Sequence, residues 1–142
     1  MNTYKQLKNK HQKEFSDFPI LFAFSNEQFE NGMKELGLNS NDTDKIYGLN
    51  GTGGYYRRSD ADTLHNMFDR HEREMKEAIE ADTTGEGFIF DMFDYELANH
   101  EYGYTGSITD TLDALGLTIK DINNNPLLVK GLEKARKSQW DN

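Results

Sequence analysis

Cysteine is absent from the 142-residue sequence. Its absence excludes disulfides, zinc sites built on thiolates, iron–sulfur clusters and cysteine nucleophiles. Long hydrophobic runs are also missing, since the longest uncharged apolar run, Pro19 to Phe24, is far shorter than the roughly 20 residues of a membrane span. The N-terminus has no apolar core of a signal peptide. We therefore expect a soluble, cytoplasmic protein that makes no contact with a membrane.

Basic residues are scarce as well. Sixteen Lys and Arg residues stand against 25 Asp and Glu residues, which gives a formal net charge of −9. Residues 59–113 hold fifteen acids and three bases, and residues 83–113 hold seven acids with no Lys or Arg. Because this charge has the same sign as the phosphate backbone, we expect no direct binding to DNA.

Aromatic side chains, by contrast, are plentiful, with nine Phe, seven Tyr and one Trp. Each of them buries a large apolar area, which argues against a disordered chain. A chain of this length suits one core and buries about 70% of its unfolded surface when it folds. We predict one domain over residues 1–142, with no internal repeat and no linker.

Apolar residues recur at helical spacing along most of the sequence. Tyr4, Leu7 and His11 predict an N-terminal helix that Pro19 closes. Further helices are predicted between Ser25 and Gly37, over 61–81, 87–102 and 109–115, at a turn that Thr118 and Asp121 cap, and from Pro126 to the C-terminal end.

A glycine-rich stretch, Gly48–Gly54, lies between two short segments of strand character. It lacks the Lys-Ser/Thr ending of a phosphate loop, and Tyr55 and Tyr56 follow it as a strand would, so we interpret it as a hairpin turn. The predicted fold class is α+β and mostly helical: a compact domain of about five to six helices with one small β-hairpin.

Two sets of side chains could carry chemistry. His65, Asp69 and Glu72 share one helix face and could ligate a divalent metal, although acidic helices produce such triplets by chance. Glu96 and His100 form either a hydrogen-bonded pair at the edge of the core or a general acid–base pair. We predict the plain alternative in both cases, with no metal, no cofactor and no enzymatic activity.

Acidic side chains on two predicted helices are the remaining feature. If the helices over 61–81 and 87–102 pack through their apolar faces, their acids form one continuous negative surface. Such a surface either keeps the protein soluble or complements a strongly basic groove, such as the nucleic-acid channel of a nuclease. The acids are Asp69, Glu72, Glu77, Glu80, Asp91, Asp94 and Glu101.

Short stretches distributed over most of the chain carry a resemblance. They are Phe18-Pro19 with Phe22-Ala23-Phe24, Gln28-Phe29 with Gly32-Met33 and Leu36-Gly37, residues 95–102, and residues 111–117. In these stretches the sequence resembles a group of short acidic proteins carried by phages and mobile elements of low-GC or gut bacteria. Such proteins include anti-CRISPR and antirestriction inhibitors, so the resemblance implies an inhibitor that acts in the cytoplasm of a host cell.

We therefore expect a non-enzymatic inhibitor that binds a host defence nuclease or its RNA-guided complex through the acidic, nucleic-acid-mimicking surface. Arg57 and Arg58 of the hairpin, or the lysine-rich N-terminal helix, could in addition contact guide RNA. Two alternatives stay open. One is a small metal-dependent or acid–base enzyme, and the other is an oligomeric phage accessory protein with Tyr102, Tyr104 and Trp140 in its interface.

Overall fold

A computed structural model describes residues 2–141 of the chain. These residues form eight α-helices: α1 (Thr3–Ser16), α2 (Asn26–Glu35), α3 (Ala61–Ala81), α4 (Phe88–Asn99), α5 (Tyr102–Thr105), α6 (Thr109–Leu115), α7 (Ile119–Asn123) and α8 (Pro126–Asp141). The mostly helical α+β class is confirmed. The predicted number of helices is too low, because α5 and α7 contain only four and five residues. In residues 2–141 no helix combines the length and the apolar character that crossing a membrane requires.

Local side chains determine where several helices begin. The Ser25 hydroxyl accepts a hydrogen bond from the backbone N–H of Gln28 at the start of α2. Thr118 and Asp121 form a complete capping box on α7. The Asn125 Oδ1 atom accepts from the N–H of Leu127 at 3.0 Å and so caps α8. The cap that the sequence predicted at Thr118 and Asp121 is confirmed.

Three short strands form one antiparallel sheet in the order β1 (Leu21–Phe22), β3 (Gly54–Arg57), β2 (Ile46–Leu49). The predicted hairpin is confirmed as β2 and β3, with Tyr47 opposite Tyr56. Gly51 and Gly53 have φ angles of +78° and +71° in the connecting turn, a region that favours glycine. The third strand, β1, was not predicted, because two residues carry no alternating pattern.

The chain divides into two compact units, which are described separately. The first contains residues 2–11 and 73–141, and the second contains residues 12–72. The boundaries fall inside α1 and α3. The single domain that the sequence predicts stays a prediction.

The core of the first unit is centred on α4, whose Ile89, Met92, Phe93 and Leu97 are fully buried. Helix α4 packs mainly against α8. Gly131 permits the close approach of these two helices, because a Cβ atom at this position would lie 2.4 Å from Ile89 Cγ2.

Helix α8, and not α3, is therefore the main partner of α4. Helix α3 contributes only partly buried side chains, Met75 and Ile79, to this core. Packing of the helices over 61–81 and 87–102 through their apolar faces was the condition for one continuous acidic surface, and α4 packs mainly against α8 instead. Helical periodicity locates an apolar face and does not identify what covers it.

The second unit has a smaller core of four buried side chains, Leu21, Met33, Leu36 and Ile46. Helix α2 packs against β1 with Gly32 at the contact, where a Cβ atom would lie 2.7 Å from Leu21 Cβ. Larger aromatic side chains of this unit remain exposed, including Phe22 at 52% and Phe24 at 81%.

Candidate functional site

Acidic charge is shared almost evenly by the two units. Residues 1–11 and 73–142 carry fourteen acids and ten bases, a net charge of −4, and residues 12–72 carry eleven acids and six bases, a net charge of −5. The excess of acids over bases in residues 59–113 is therefore larger than the excess in either unit of the fold. The reason is that lysines from both ends of the chain belong to the first unit.

Asp69 and Glu72 lie on the part of α3 that belongs to the second unit. Both side chains are exposed, and neither has an ion-pair partner among residues 2–141. They project about 60° apart around the helix axis, on one side of α3. This pair is the clearest part of the acidic surface that the sequence predicted.

His65 lies on the same side of α3 and is also exposed. In the described part of the chain, no group of three His, Asp or Glu side chains could hold a metal ion. The physical reason is distance, since the seven residues from His65 to Glu72 rise by about 10 Å along a helix. A metal centre built on His65, Asp69 and Glu72 has no support from this geometry.

Glu77 and Glu80 lie on the part of α3 that belongs to the first unit. Glu77 Oε1 is 3.7 Å from Nε of Arg73, and the two side chains are 65% and 62% exposed. Glu80 is exposed and has no ion pair within the described residues. Because Arg73 and Lys76 share this segment, its surface is of mixed charge and not uniformly acidic.

Asp91 and Asp94 of α4 are half-buried and accept hydrogen bonds from other helices of the first unit. Oδ2 of Asp91 accepts hydrogen bonds from the N–H and the hydroxyl of Thr3, at 2.9 Å and 2.8 Å. Asp91 thereby caps the first turn of α1, whose N–H groups have no partner within the helix. Oδ1 of Asp94 accepts from the side-chain amide of Gln139 at 2.7 Å. We expected these two acids to be exposed on the surface, but the structure shows that both are half-buried.

Glu101 is the N-cap residue of α5 and is exposed. Its φ angle of 57° is the one positive value at a non-glycine residue in residues 2–141. Few residues other than glycine and asparagine adopt this conformation without strain. The side chain has no ion pair among the described residues and lines an open cleft with Tyr104.

Arg57 and Arg58 are engaged within the second unit. Nε of Arg57 lies 2.7 Å from Oδ2 of Asp60, and its Nη1 donates to the carbonyl of Leu36 at 3.2 Å. The guanidinium of Arg58 stacks over the ring of Tyr47, with 4.6 Å between Cζ and the ring centroid. Arg58 is exposed, whereas Arg57 is half-buried and its Nε and Nη1 atoms are already engaged.

Glu96 is a buried carboxylate with two strong partners, and its side chain is only 1% exposed. Tyr4 donates its hydroxyl to Oε2 at 2.9 Å, and Lys8 Nζ lies 3.1 Å from Oε1. Burial and the nearby charge of Glu96 raise the pKa of Tyr4 far above its usual value. The carboxylate is thus satisfied by α1 and serves the interior of the first unit.

His100 ends α4 and does not bond to the Glu96 carboxylate. Its backbone N–H donates to the Glu96 carbonyl at 3.0 Å, as at many helix ends. Its Nε2 atom is buried and has no hydrogen-bond partner in the described residues. The predicted hydrogen-bonded pair of Glu96 and His100 is therefore wrong, because the Glu96 carboxylate is bonded to Tyr4 and Lys8 and the His100 ring is not bonded to it. The side chains are also not joined as a general acid–base pair.

Two further acids, Asp82 and Glu86, have hydrogen-bond partners that were not predicted from the sequence. Asp82 accepts hydrogen bonds from the N–H groups of Thr84, Gly85, Gly87 and Ile89, and so caps α4. Burial acts to raise the pKa of Asp82, but these hydrogen bonds lower it below its usual value. The signal was an Asp within a turn directly before a helix.

Glu86 is neutralised by two lysines of α8. Its carboxylate lies 3.1 Å from Lys134 Nζ and 4.0 Å from Lys130 Nζ. The hydrogen bond from Lys134, assisted by both positive charges, lowers the pKa of Glu86. Of the seven acids between Thr83 and Asp113, Glu86 and Glu96 are therefore paired with lysines of the first unit.

Residues 3–138 match a family of unknown function, DUF7659. The chain belongs to the DUF7659 family. No curated protein and no solved structure matches it. Because the family description names no activity, the function of this DUF7659 member has to be argued from its own side chains.

Proposed function

We propose that this protein is a non-enzymatic inhibitor, of the kind that phages and mobile elements carry, which binds a host defence nuclease in place of nucleic acid. The observation that supports the proposal is a set of exposed carboxylates that form no ion pair among residues 2–141. They are Asp69, Glu72, Glu80 and Glu101. A carboxylate that no internal cation neutralises attracts a groove lined by Lys and Arg and speeds association with it.

The contact residues of this proposal are fewer than those predicted from the sequence. Asp91 and Asp94 are half-buried and hydrogen-bonded to Thr3 and Gln139, so their carboxylates keep their charge but are less accessible to direct contact with a partner. Glu77 shares its charge with Arg73 across an exposed ion pair. The proposal therefore depends most on Asp69 and Glu72.

An acid–base enzyme centred on Glu96 and His100 receives less support. A general base needs access to the proton that it removes. The Glu96 carboxylate is instead buried against Tyr4 and Lys8.

The experiment compares two double charge reversals that change the net charge equally. Asp69→Lys with Glu72→Lys removes the proposed contact, whereas Asp113→Lys with Glu133→Lys reverses two other exposed acids that lack ion pairs in the described residues. Each protein is added to a panel of purified RNA-guided and restriction nucleases, and cleavage of a labelled target DNA is measured at several salt concentrations.

We expect inhibition of a nuclease in the panel that weakens as salt rises. The first variant should need about tenfold more protein for the same inhibition, which corresponds to about 1.4 kcal/mol of binding free energy. The second variant should differ from the unmodified protein by less than about twofold. Equal losses in both variants, or no inhibition of any nuclease by the unmodified protein, would contradict the proposal.

A further inference from the structure

Two open clefts lie on either side of Tyr102 in the first unit. One has a volume of about 450 Å³ and is lined by Ala98, Glu101, Tyr102, Gly103, Tyr104 and Gln139. The other has a volume of about 300 Å³ and is lined by Tyr102, Arg136, Lys137 and Trp140. Because Tyr102 lines both, the two clefts are neighbours at the end of α8, and we refer to them together as the recess.

The recess presents aromatic rings to solvent. Tyr104 is 93% exposed and Trp140 is 67% exposed. Tyr102, by contrast, is buried and forms the floor, with its ring centroid 6.4 Å from that of Trp140. Exposed aromatic side chains at a recess mark a place where a planar or apolar group of a ligand can stack.

Two cationic side chains, Arg136 and Lys137, line the same cleft as Trp140. Arg136 donates from Nε to the Tyr102 hydroxyl at 2.9 Å, which holds its guanidinium at the recess. Arg136 and Lys137 are exposed and have no ion pair in the described part of the chain. In this respect they differ from Lys130 and Lys134 of the same helix, which both pair with Glu86.

We propose that this recess binds a short stretch of single-stranded nucleic acid, with bases stacked on Trp140 and Tyr104 and phosphates on Arg136 and Lys137. Stacking on an aromatic ring tolerates any base, and it requires unpaired bases whose faces are open. The Glu101 carboxylate lines the other side of the recess, so it repels phosphates and directs the backbone towards the two cations.

The net charge of −9 limits the contact to a few nucleotides, because a longer strand would meet a repulsive surface. In the hairpin, Arg57 is bonded to Asp60, whereas Arg58 is exposed, so an RNA contact there stays a separate prediction. The inference does not depend on the proposed inhibition of a nuclease, which involves Asp69 and Glu72. Its test needs no nuclease, so the two proposals fail separately.

The test uses the fluorescence of Trp140, the single tryptophan of the sequence. The full chain is titrated with a single-stranded RNA of about ten nucleotides at low salt. We expect saturable quenching, because a stacked base quenches the indole. The logarithm of Kd should rise with the logarithm of salt concentration with a slope of about 1.4, or about 0.7 for each of two phosphates.

Two variants and a matched control locate the contact. Arg136→Gln with Lys137→Gln should raise Kd at least about fivefold and flatten the salt dependence. Tyr104→Ala should raise Kd with no change in the melting temperature, since the ring is exposed. Lys5→Gln with Lys120→Gln removes two other exposed lysines of this unit that lack ion pairs in residues 2–141, and it should leave Kd unchanged.

Several outcomes would overturn the inference. One is the absence of quenching up to about 1 mM nucleotide at low salt. Another is equal binding of a duplex of the same length or of polyglutamate, which would show that the recess recognises only negative charge. A third is an equal loss of binding in the control. A fluorescence change on dilution without RNA would indicate that a second copy of the chain occupies the recess.

Discussion

One helix contributes to two ion-pair networks, one in each unit of the chain. In the unit that contains residues 2–11 and 73–141, Lys8 of α1 binds Glu96, whose side chain is 1% exposed. In the unit of residues 12–72, Glu14 of α1 binds Arg70 and His71, and the Glu14 side chain is 27% exposed. The two networks use similar chemistry in different surroundings.

From this difference we infer that burial, and not the number of partners, determines how much an ion pair contributes to the free energy of unfolding. Water cannot replace a partner of Glu96, so removing one leaves a buried charge uncompensated. Water can solvate Glu14 when its partners are removed, and salt screens the pair. Changes at the Glu96 network should therefore cost far more stability than changes at Glu14.

Lys8→Met should have the largest effect. Methionine retains most of the aliphatic stem but leaves the Glu96 carboxylate without a cation, which should lower the free energy of unfolding by about 3 kcal/mol. Urea denaturation at neutral pH measures this change. Lys5→Met is the control, because Lys5 is exposed on the same helix without an ion pair in the described residues, and it should change stability by less than about 0.5 kcal/mol. Equal effects would show that Lys8 does not stabilise Glu96.

Tyr4→Phe should have the second largest effect on the free energy of unfolding. It removes one donor to Glu96 and leaves Lys8 in place, so we expect a loss of about 2 kcal/mol. The raised pKa of Tyr4 keeps its hydroxyl protonated and able to donate at any ordinary pH. Tyr95→Phe is the control, because the Tyr95 hydroxyl has no hydrogen bond within residues 2–141. If the two variants unfold at the same urea concentration, the Tyr4 hydroxyl contributes nothing to stability.

Helix boundaries could be predicted because they depend on neighbouring residues. Ser25, Thr118 and Asn125 each lie next to the backbone groups that they cap. Strand β1 could not be predicted, because its two residues acquire their conformation from pairing with β3, which lies more than 30 positions away. Long-range pairing of this kind leaves no local pattern.

The positions of the acids could be predicted around each helix axis, but their partners could not. Periodicity placed Asp91 and Asp94 on one arc of α4, and it does not reveal that Thr3 and Gln139 meet them from 88 and 45 positions away. The same limit applies to Glu96, whose partner Lys8 is 88 positions away. Asp69 and Glu72 agree best with the sequence analysis because they lack a partner among the described residues.

Glu14→Gln should have the smallest effect, and it should depend on pH. The hydrogen bonds from Arg70 and His71 lower the pKa of Glu14 from 4.5 to about 2. A carboxylate with a depressed pKa stabilises the fold above its unfolded value, and this contribution disappears as the pH falls from about 4.5 towards 2. The melting temperature of the variant should thus lie below that of the unmodified protein at pH 5 and equal it near pH 2. Glu30→Gln, at an exposed acid without an ion pair in residues 2–141, should show no such trend. A difference that persists unchanged to pH 2 would mean that the side chain acts through packing and not through its charge.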